Sequence, residues 1–262
     1  MDSPRFRTAS PPGLLALAYG AFCYLAFLAV YGYLIAFVGD LGVPRSVSAG
    51  PAGPPGRALA ADLGLLALFG VQHSLMARPA FKRPLTRLVP VPVERSTYVL
   101  ASCLALAALF RFWRPVPAVV WNLGPSALRL AAWAGFWGGT ALVLASTFFI
   151  NHLDLFGLAQ VWARFRGRPY REPEFRLTAL YARVRHPLML GFLVTFWCAP
   201  VMTAGHLLFA AGASGYILAG TLLEERDLAR ALGRPYAAYR KAVPRFFPVP
   251  WRRAAPPRDT PR

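Results

Sequence analysis

The sequence has few of the residues that build disulfide frameworks and metal sites. It contains 3 cysteines in 262 residues, and Cys23, Cys103 and Cys198 all lie inside apolar blocks, which indicates small packing side chains. Its 4 histidines fall in separate segments, and no Cys/His spacing typical of a metal site accompanies them. The sequence therefore argues against a disulfide framework and against a bound metal ion.

Acidic residues are also scarce. The chain has 11 aspartates and glutamates against 29 lysines and arginines, which gives a formal net charge of +18. The basic residues alternate with apolar segments and form no single stripe, so membrane topology accounts for them better than nucleic-acid binding does. No Gly-x-Gly-x-x-Gly motif follows a strand pattern, and this argues against a soluble Rossmann-type nucleotide-binding domain.

Apolar residues, by contrast, are abundant and come in long blocks. They make up 56% of the chain, compared with roughly 45–50% in an average soluble domain. A segment of about 17–25 apolar residues is long enough to cross the hydrocarbon core of a bilayer. Six blocks of this kind run over residues 13–38, 58–76, 97–113, 127–150, 187–203 and 204–223. The pattern predicts an all-α polytopic membrane protein with five to six transmembrane helices.

The first and last blocks have features of their own. The first follows a short basic start without a small-residue cleavage signature, which indicates an uncleaved helix rather than a signal peptide. Almost nothing separates the last two blocks, so we expect a tight C-terminal helical hairpin over 187–223, followed by a basic cytoplasmic tail. We expect residues 1–262 to form a single integral membrane domain.

The distribution of lysine and arginine predicts the orientation in the membrane. The N-terminal start, the connections 77–96 and 151–186, and the C-terminal tail together hold 24 of the 29 basic residues. The other 5 lie in the alternate connections and at their helix ends. Since cytoplasmic loops are enriched in lysine and arginine, we expect both termini to lie in the cytoplasm, as for a protein of a bacterial-type inner membrane.

Several polar residues lie where the apolar blocks meet the predicted cytoplasmic face. His73 is near the inner end of the second block, and Tyr98 is near the start of the third. The others are Asn151, His152, Asp154, Arg185, His186, Glu224 and Glu225. A histidine within a membrane segment is costly, which favours a functional role for His73. Arginines beside a membrane helix often serve only as topology anchors, and Pro187 is a natural first helical residue.

The C-terminal third carries a combination of motifs. The stretch "RHPLMLG" precedes the predicted hairpin, and "EERDLARALGRPYAAYRKAVPRFFP" follows it. This order resembles the C-terminal signature of the membrane methyltransferases related to isoprenylcysteine carboxyl methyltransferase and phospholipid methyltransferases. The stretches "QHSLMARPAFK", "VERSTYVL" and "NHLDLFGL" extend the resemblance over most of the chain, to the branch of methanethiol S-methyltransferase and the NnrU proteins. One position departs, since the tyrosine of the motif is Met189 here.

The resemblance implies S-adenosyl-L-methionine as the cofactor, bound mainly by residues of about 180–248. The candidate cofactor-binding residues are Arg185, His186, Pro187, Leu188, Gly191, Glu224 and Glu225. The arginine and the histidine would hold the carboxylate or the ribose, and the N–H groups of the helix start would be further donors. One of the two glutamates would hold the ammonium group or a ribose hydroxyl. The glycine would let the nucleoside approach the backbone closely.

The same resemblance implies methylation of a small thiol, most specifically of methanethiol to dimethyl sulfide. An alkyl thiol is largely protonated near neutral pH, since even a cysteine thiol titrates at about 8.5, and its attack therefore needs a base. A neutral histidine suits this task, and His73 is the first candidate, with His152 and Asp154 as the second. Asp154 could orient either imidazole, and Tyr98 could donate a hydrogen bond. The loss of the motif tyrosine at Met189 suits a small apolar acceptor.

Other functions remain open at this point. One is a non-enzymatic membrane factor of the NnrU type, associated by resemblance with nitrogen-oxide metabolism. Another is a methyltransferase that acts on a lipid or a prenylcysteine. A transporter with a His–Asp relay is disfavoured, because the polar residues cluster at one face and do not cross the bilayer.

Overall fold

A computed structural model describes residues 11–172 and 180–247 of the chain. Five of the described helices are long and apolar enough to cross a membrane, namely Gly13–Gly39, Pro55–Ala77, Val91–Phe112, Ala127–Ile150 and Ala204–Arg230. A shorter apolar helix covers Pro187–Trp197. The prediction of an all-α polytopic membrane protein is confirmed. The basic start and the Pro/Arg-rich tail after residue 247 lie outside the described residues.

The described residues form ten α-helices and two short strands. In chain order they are α1 (Pro11–Gly39), α2 (Pro55–Ala77), α3 (Pro79–Leu88), α4 (Glu94–Phe112), β1 (Val119–Asn122), α5 (Ala127–Ile150), α6 (His152–Leu155), α7 (Leu158–Phe165), α8 (Pro187–Trp197), β2 (Val201–Thr203), α9 (Ala204–Leu232) and α10 (Arg234–Ala242). They fall into two compact units, the first with described residues 11–115 and 151–172, and the second with 116–150 and 180–247. The single membrane domain expected from the sequence stays a prediction.

In the first unit, α4 packs against both α1 and α2, and α7 packs against α1. The approach of α7 to α1 is close, since a Cβ atom placed on Gly20 would lie 2.6 Å from a methyl group of Val161. The apolar core contains Val99, Cys103 and Phe156, with Tyr24, Phe27, Val30, Tyr98 and Leu155 packed against it. The buried thiol of Cys103 is therefore a packing group. This core holds α1 and α4 against the segment that follows α5.

In the second unit, α5 and α8 cross at very short range. A Cβ atom on Gly139 would lie 2.8 Å from the carbonyl oxygen of Gly191, and a Cβ atom on Gly191 would lie 2.8 Å from that of Gly139. Because neither residue has a side chain, the two helix backbones can touch, as in the small-residue interfaces of membrane helices. The antiparallel pair β1–β2 closes the other end of α8.

The block 187–203 is not one spanning helix, and this part of the prediction is wrong. Helix α8 ends at Trp197 after 11 residues, a length of about 16 Å, which is short of the roughly 30 Å hydrocarbon core. The chain then passes through Pro200 into β2, where Val201–Thr203 pair with Val119–Asn122. Proline lacks the N–H that would continue the helix, and the strand pairing satisfies the backbone groups that follow.

The second arm of the hairpin is longer than the sequence pattern indicates. Helix α9 starts where Thr203 accepts a hydrogen bond from the N–H of His206, and it continues for 29 residues to Leu232. Glu224 and Glu225 therefore lie within the helix. The apolar block, which stops at residue 223, had predicted that they close it. The hairpin itself is present, with α8 and α9 packed against each other.

Candidate active site

His73 on α2 lies against two side chains of α4 in the first unit. Its Nε2 atom is 2.7 Å from the hydroxyl oxygen of Tyr98, and its Nδ1 atom is 3.0 Å from Oγ of Ser102. Tyr98 and Ser102 are four residues apart, so they project from the same face of α4. We refer to His73, Tyr98 and Ser102 as the His73 cluster.

The hydrogen bonds of Ser102 favour one tautomer of His73. The Ser102 hydroxyl is 3.0 Å from the carbonyl oxygen of Tyr98, to which it can donate its one hydrogen. With the hydrogen in this bond, the oxygen of Ser102 would accept from the imidazole, which favours the ring hydrogen on Nδ1. In that tautomer Nε2 carries the lone pair and can accept from the Tyr98 hydroxyl. Sequence reasoning singled out His73 and Tyr98 but missed Ser102, although the spacing of four from Tyr98 was a usable signal.

His152 is paired with a different tyrosine. Its Nε2 atom is 2.7 Å from the hydroxyl oxygen of Tyr24 on α1, and its side chain is buried against Phe156. The turn that holds it begins at Asn151, a non-glycine residue with φ of 145°, whose side chain accepts from the N–H of Asp154. Burial lowers the pKa of His152, which favours the neutral imidazole. Tyr24 was not identified from the sequence.

Asp154 makes its hydrogen bonds to neither of the candidate imidazoles. Its carboxylate accepts from Nε2 of Gln160 at 3.0 Å and from the hydroxyl of Tyr170. Burial, followed by the bond to this carboxylate, raises the pKa of Tyr170 to about 12. The role of Asp154 in orienting a histidine, expected from the sequence, stays a prediction, and in the structure the residue ties the segment after α7 to the short helix α6.

In the second unit, the carboxylate of Glu225 is the centre of an ionic cluster. It is 1% exposed, and Arg185 donates to its Oε1 atom from Nε at 2.9 Å and from Nη2 at 2.8 Å. Arg245 donates from Nη2 to Oε2 at 2.8 Å, and Nε2 of His186 lies 3.1 Å from Oε1. We call Arg185, His186, Glu225 and Arg245 the Glu225 cluster. Arg245 was not identified from the sequence, because nothing distinguished it within a generally basic tail.

Arg185 also binds the C-terminal segment. Its Nη1 atom donates to the carbonyl oxygens of Arg240 at 2.6 Å and of Val243 at 2.7 Å. The backbone N–H groups of Arg185 and His186 donate to the carbonyls of Pro244 and Arg245 at 2.9 and 3.1 Å. The guanidinium expected to hold a cofactor carboxylate is thus committed to protein groups. It fastens the chain after α10 to the start of α8.

Glu224 differs from its neighbour. Its side chain is 52% exposed, and its Oε2 atom lies 3.7 Å from Nδ1 of His186, so the imidazole stands between the two glutamates. His186 is the residue before α8, with Pro187 and Leu188 in the first turn. Of the residues proposed from the sequence, Glu224 and His186 combine a polar group with a position at this helix start.

Gly191 has a role that the sequence did not indicate. The space in front of its Cα atom is filled by the backbone of Gly139 and by Val143, with atoms 2.8 Å from an added Cβ. Its missing side chain therefore serves the contact between α5 and α8, and its expected part in the approach of a nucleoside stays a prediction. Met189, at the position of the motif tyrosine, is partly buried in the first turns of α8.

Two tyrosines support the same end of the second unit. The Tyr239 hydroxyl on α10 donates to the carbonyl oxygen of Tyr181 at 2.7 Å. Burial raises the pKa of Tyr239 to about 12 and also raises that of Tyr181. Hydrogen bonds to Glu225 raise the pKa of the Arg245 guanidinium above its usual value.

Within residues 11–172 and 180–247, no three His, Cys, Asp or Glu side chains meet as metal ligands would.

Comparison with known proteins identifies relatives that cover nearly the whole chain. The chain is 55% identical over 238 residues to methanethiol S-methyltransferase of Mycobacterium tuberculosis. The aligned region covers 91% of this chain and 98% of the relative. It is 45% identical over 253 residues to methanethiol S-methyltransferase 2 of Bradyrhizobium diazoefficiens, covering 95% of this chain and 96% of the relative. Nurim of Xenopus laevis is 32% identical over 64% of this chain and 61% of its own length. No family model and no solved structure matches.

Proposed function

We propose, because the chain belongs to the methanethiol S-methyltransferase family, that it transfers a methyl group to methanethiol and forms dimethyl sulfide. The observation that carries this proposal is the 55% identity to the Mycobacterium tuberculosis relative over 98% of that relative's length. Identity at this level over 91% of this chain argues against a different reaction on a shared fold. The alternatives are a non-enzymatic factor and a methyltransferase that acts on a lipid or a prenylcysteine. The assay described below distinguishes them from the proposed reaction.

We propose S-adenosyl-L-methionine as the methyl donor. The residues at the start of α8 fit its charged amino acid end, because Glu224 offers a half-exposed carboxylate 3.7 Å from the His186 imidazole. When bound, this cofactor supplies an electrophilic methyl group on a cationic sulfur. Glu224 would hold its ammonium group, while His186 and the first N–H groups of α8 would hold the carboxylate or the ribose.

Arg185 and Glu225 contribute to this site in a different way. Both are nearly buried, with side chains 9% and 2% exposed, and both already make charged hydrogen bonds within the protein. They act as positioning residues, since Glu225 fixes the imidazole of His186 through Nε2 and Arg185 fixes the chain after α10. The two adjacent glutamates thus have different surroundings, since Glu225 is 2% exposed and Glu224 is 52% exposed.

The thiol would be activated in the first unit, at the His73 cluster. Nε2 of His73 lies 2.7 Å from the Tyr98 hydroxyl, and a neutral imidazole there would be the base. Tyr98 packs against the apolar core of Val99, Cys103 and Phe156, and such surroundings suit an acceptor that consists of a thiol and one methyl group. Apolar surroundings also favour a reaction in which opposite charges cancel, because water would stabilise the separated charges more than the transition state.

A single assay tests the proposed function. Purified protein is given S-adenosyl-L-methionine with a labelled methyl group together with methanethiol, a longer alkyl thiol or a prenylcysteine. We expect labelled dimethyl sulfide in the headspace and little product from the two larger acceptors. Label in the prenylcysteine or in co-purified lipid, and none in dimethyl sulfide, would contradict the proposal. Protein without donor and the variant His73→Ala are the controls.

We also propose that both termini and the segments 77–96 and 151–186 lie on the cytoplasmic side of the membrane, where the cofactor is found. The excess of basic residues in 77–96 and 151–186 supports this orientation. Arg166 is exposed near the end of α7 and suits a single-cysteine probe, introduced after the three native cysteines are replaced. Labelling of this cysteine by an impermeant reagent only after the membrane is opened is expected, and labelling of intact cells would overturn the orientation.

A further inference from the structure

We infer, on the basis of the proposed methyl transfer, that Tyr98 takes the proton of the thiol while it passes its own hydroxyl proton to His73, whose tautomer is set by Ser102. Histidine is thus the final acceptor of the proton, and tyrosine is the group that meets the substrate. Ser102 is a positioning residue that touches neither substrate nor cofactor.

The argument starts from the two ring nitrogens of His73, both of which are engaged by α4. Nε2 lies 2.7 Å from the Tyr98 hydroxyl oxygen and Nδ1 lies 3.0 Å from Oγ of Ser102. In the tautomer that Ser102 favours, Nε2 accepts and Nδ1 donates. A thiol that approached either nitrogen would have to displace one of these hydrogen bonds. The phenol oxygen, which donates its one hydrogen to Nε2, retains lone pairs that can accept an S–H group. The path to the histidine that keeps both bonds therefore runs through Tyr98.

The tyrosine could not perform this step without the histidine. A neutral phenol is a very weak base, so it can accept a proton only if its own proton leaves at the same time. The 2.7 Å bond to Nε2 supplies that exit. The exit exists only in the tautomer with hydrogen on Nδ1, and Ser102 selects this tautomer because its own hydrogen is held by the Tyr98 carbonyl at 3.0 Å.

The step balances in atoms and charge. The S–H bond of the thiol breaks, and its proton forms an O–H bond with Tyr98. The former hydroxyl proton of Tyr98 forms an N–H bond at Nε2 of His73, which becomes an imidazolium. The electron pair left on the thiol sulfur forms the new bond to the methyl carbon of the sulfonium donor, and the pair of the bond that breaks stays on the departing thioether. Loss of one proton to water through the same path restores the neutral imidazole.

The variant Tyr98→Phe separates the relay from direct catalysis by His73. If Nε2 acted on the thiol directly, this variant would free the nitrogen, and turnover would stay the same or rise. The relay predicts that Tyr98→Phe and His73→Ala each lower kcat by about 10²–10⁴-fold, the usual worth of a positioned base. It also predicts that the kcat of the double variant is no lower than that of the less active single variant, because both residues serve one step.

Matched controls show whether these losses are specific. Tyr19→Phe removes another hydroxyl that bonds to α4, at 3.1 Å from Oγ1 of Thr97, and it should leave kcat unchanged. Binding of S-adenosyl-L-methionine by calorimetry should be the same in all variants, and so should the thermal midpoint within a few degrees. Part of the loss in His73→Ala and Tyr98→Phe should return at high pH, where the thiol ionises unaided.

The role of Ser102 has a readout independent of activity. In protein labelled with ¹⁵N-histidine, the His73 signals, identified by their loss in His73→Ala, should report hydrogen on Nδ1. Ser102→Ala should shift them towards a mixture of tautomers and lower kcat more than it changes KM, while Ser102→Thr should restore both. His73 signals that report hydrogen on Nε2 in the unaltered protein would overturn the assignment of the tautomer.

The relay and the proposed function fail in distinguishable ways. A folded, unaltered protein that binds the donor but methylates no thiol overturns the proposed function and the relay with it. An active protein whose Tyr98→Phe variant keeps its full turnover overturns the relay alone and leaves His73, or another base, to act directly.

Discussion

The two units of the protein organise their polar groups by opposite means. The first holds two histidine–tyrosine pairs, His73 with Tyr98 and His152 with Tyr24, each joined by a 2.7 Å bond between neutral groups. The second holds the Glu225 cluster, in which two arginines and a histidine surround one buried carboxylate, and Nε of a third arginine, Arg240, lies 3.7 Å from Oε2. Hydrogen bonds between uncharged groups are modest in strength, whereas those to charged groups are roughly twice as strong.

This difference matches what each unit is proposed to do. A base must change its protonation state in every turnover, and a neutral imidazole bonded to a phenol can do so at low cost. A site for a charged cofactor needs groups that keep their charge and position, which the paired guanidinium and carboxylate groups provide. We therefore expect the first unit to respond to substitution mainly in turnover and the second mainly in stability and cofactor binding.

The largest effect on stability is expected from Glu225→Gln. Loss of the charge leaves Arg185 and Arg245 without their anionic partner in a buried position, which typically costs about 3–5 kcal/mol. The neighbouring variant Glu224→Gln changes a half-exposed side chain and should leave stability nearly unchanged while it weakens cofactor binding. Thermal unfolding in detergent and calorimetry with S-adenosyl-L-methionine measure the two effects. Equal stability of the two variants would remove the distinction between the glutamates.

A second comparison concerns how closely the helices pack. Gly191→Ala should destabilise by about 1–3 kcal/mol, because the new methyl group meets the backbone of Gly139. Gly20→Ala in the first unit should cost less, since its Cβ meets only the side chain of Val161, whereas that on Gly191 meets backbone atoms. Gly138→Ala, with no atom within 4 Å of the added Cβ, is the control on α5. The reverse order of the first two variants in thermal unfolding would contradict this account.

A smaller effect is expected from Tyr24→Phe. The variant removes a single hydrogen bond to His152 and should destabilise by about 0.5–1.5 kcal/mol. In combination with His152→Ala the losses should not add, because the same bond is removed by either change. Turnover should fall much less than in Tyr98→Phe. A loss of activity as large as that of Tyr98→Phe would identify the pair of His152 and Tyr24 as the second route for the thiol proton.

The smallest effect should appear in the dependence of stability on pH. Burial holds the pKa of His152 below the value of about 6.5 that it has in the unfolded chain. Between these two values the unfolded chain binds more protons than the folded protein. The contribution of His152 to the free energy of unfolding therefore has its full value above a pH of about 6.5, and it falls as the pH decreases towards the lowered pKa. His152→Gln should flatten the change in thermal midpoint across this window. An unchanged slope would assign the effect to another group.

Much of the fold was predictable from the sequence because membrane helices depend on length and apolar composition. The boundaries of α1, α2, α4 and α5 lie within a few residues of the predicted blocks. The end of α8 was only partly predictable, because Pro200 indicates a break in the helix, whereas apolar composition does not show what residues 198–203 form instead. Their exit into β2 depends on pairing with Val119–Asn122, a contact between distant segments that apolar composition does not reveal.

The candidate site was predictable only as a set of residue types. The sequence located His73, His186 and the two glutamates, but it could not show which partners would occupy them. Arg245 is a partly exposed ion-pair partner that looks like any other basic residue of the tail, and Ser102 is one of several serines in an apolar helix. Side-chain roles of this kind follow from packing between helices, which periodicity and composition do not record.

The attachment of the chain after α10 has a consequence for how the protein is made. Glu225 is synthesised before Arg240, Val243 and Arg245, which supply two carbonyls for Arg185 and a second guanidinium for Glu225 itself. During translation α9 can thus enter the membrane while the cluster is still incomplete. A nascent chain that stops before residue 245 leaves the carboxylate of Glu225 without the hydrogen bonds from Arg245. The Glu225 cluster is therefore completed only after both α9 and α10 have been synthesised.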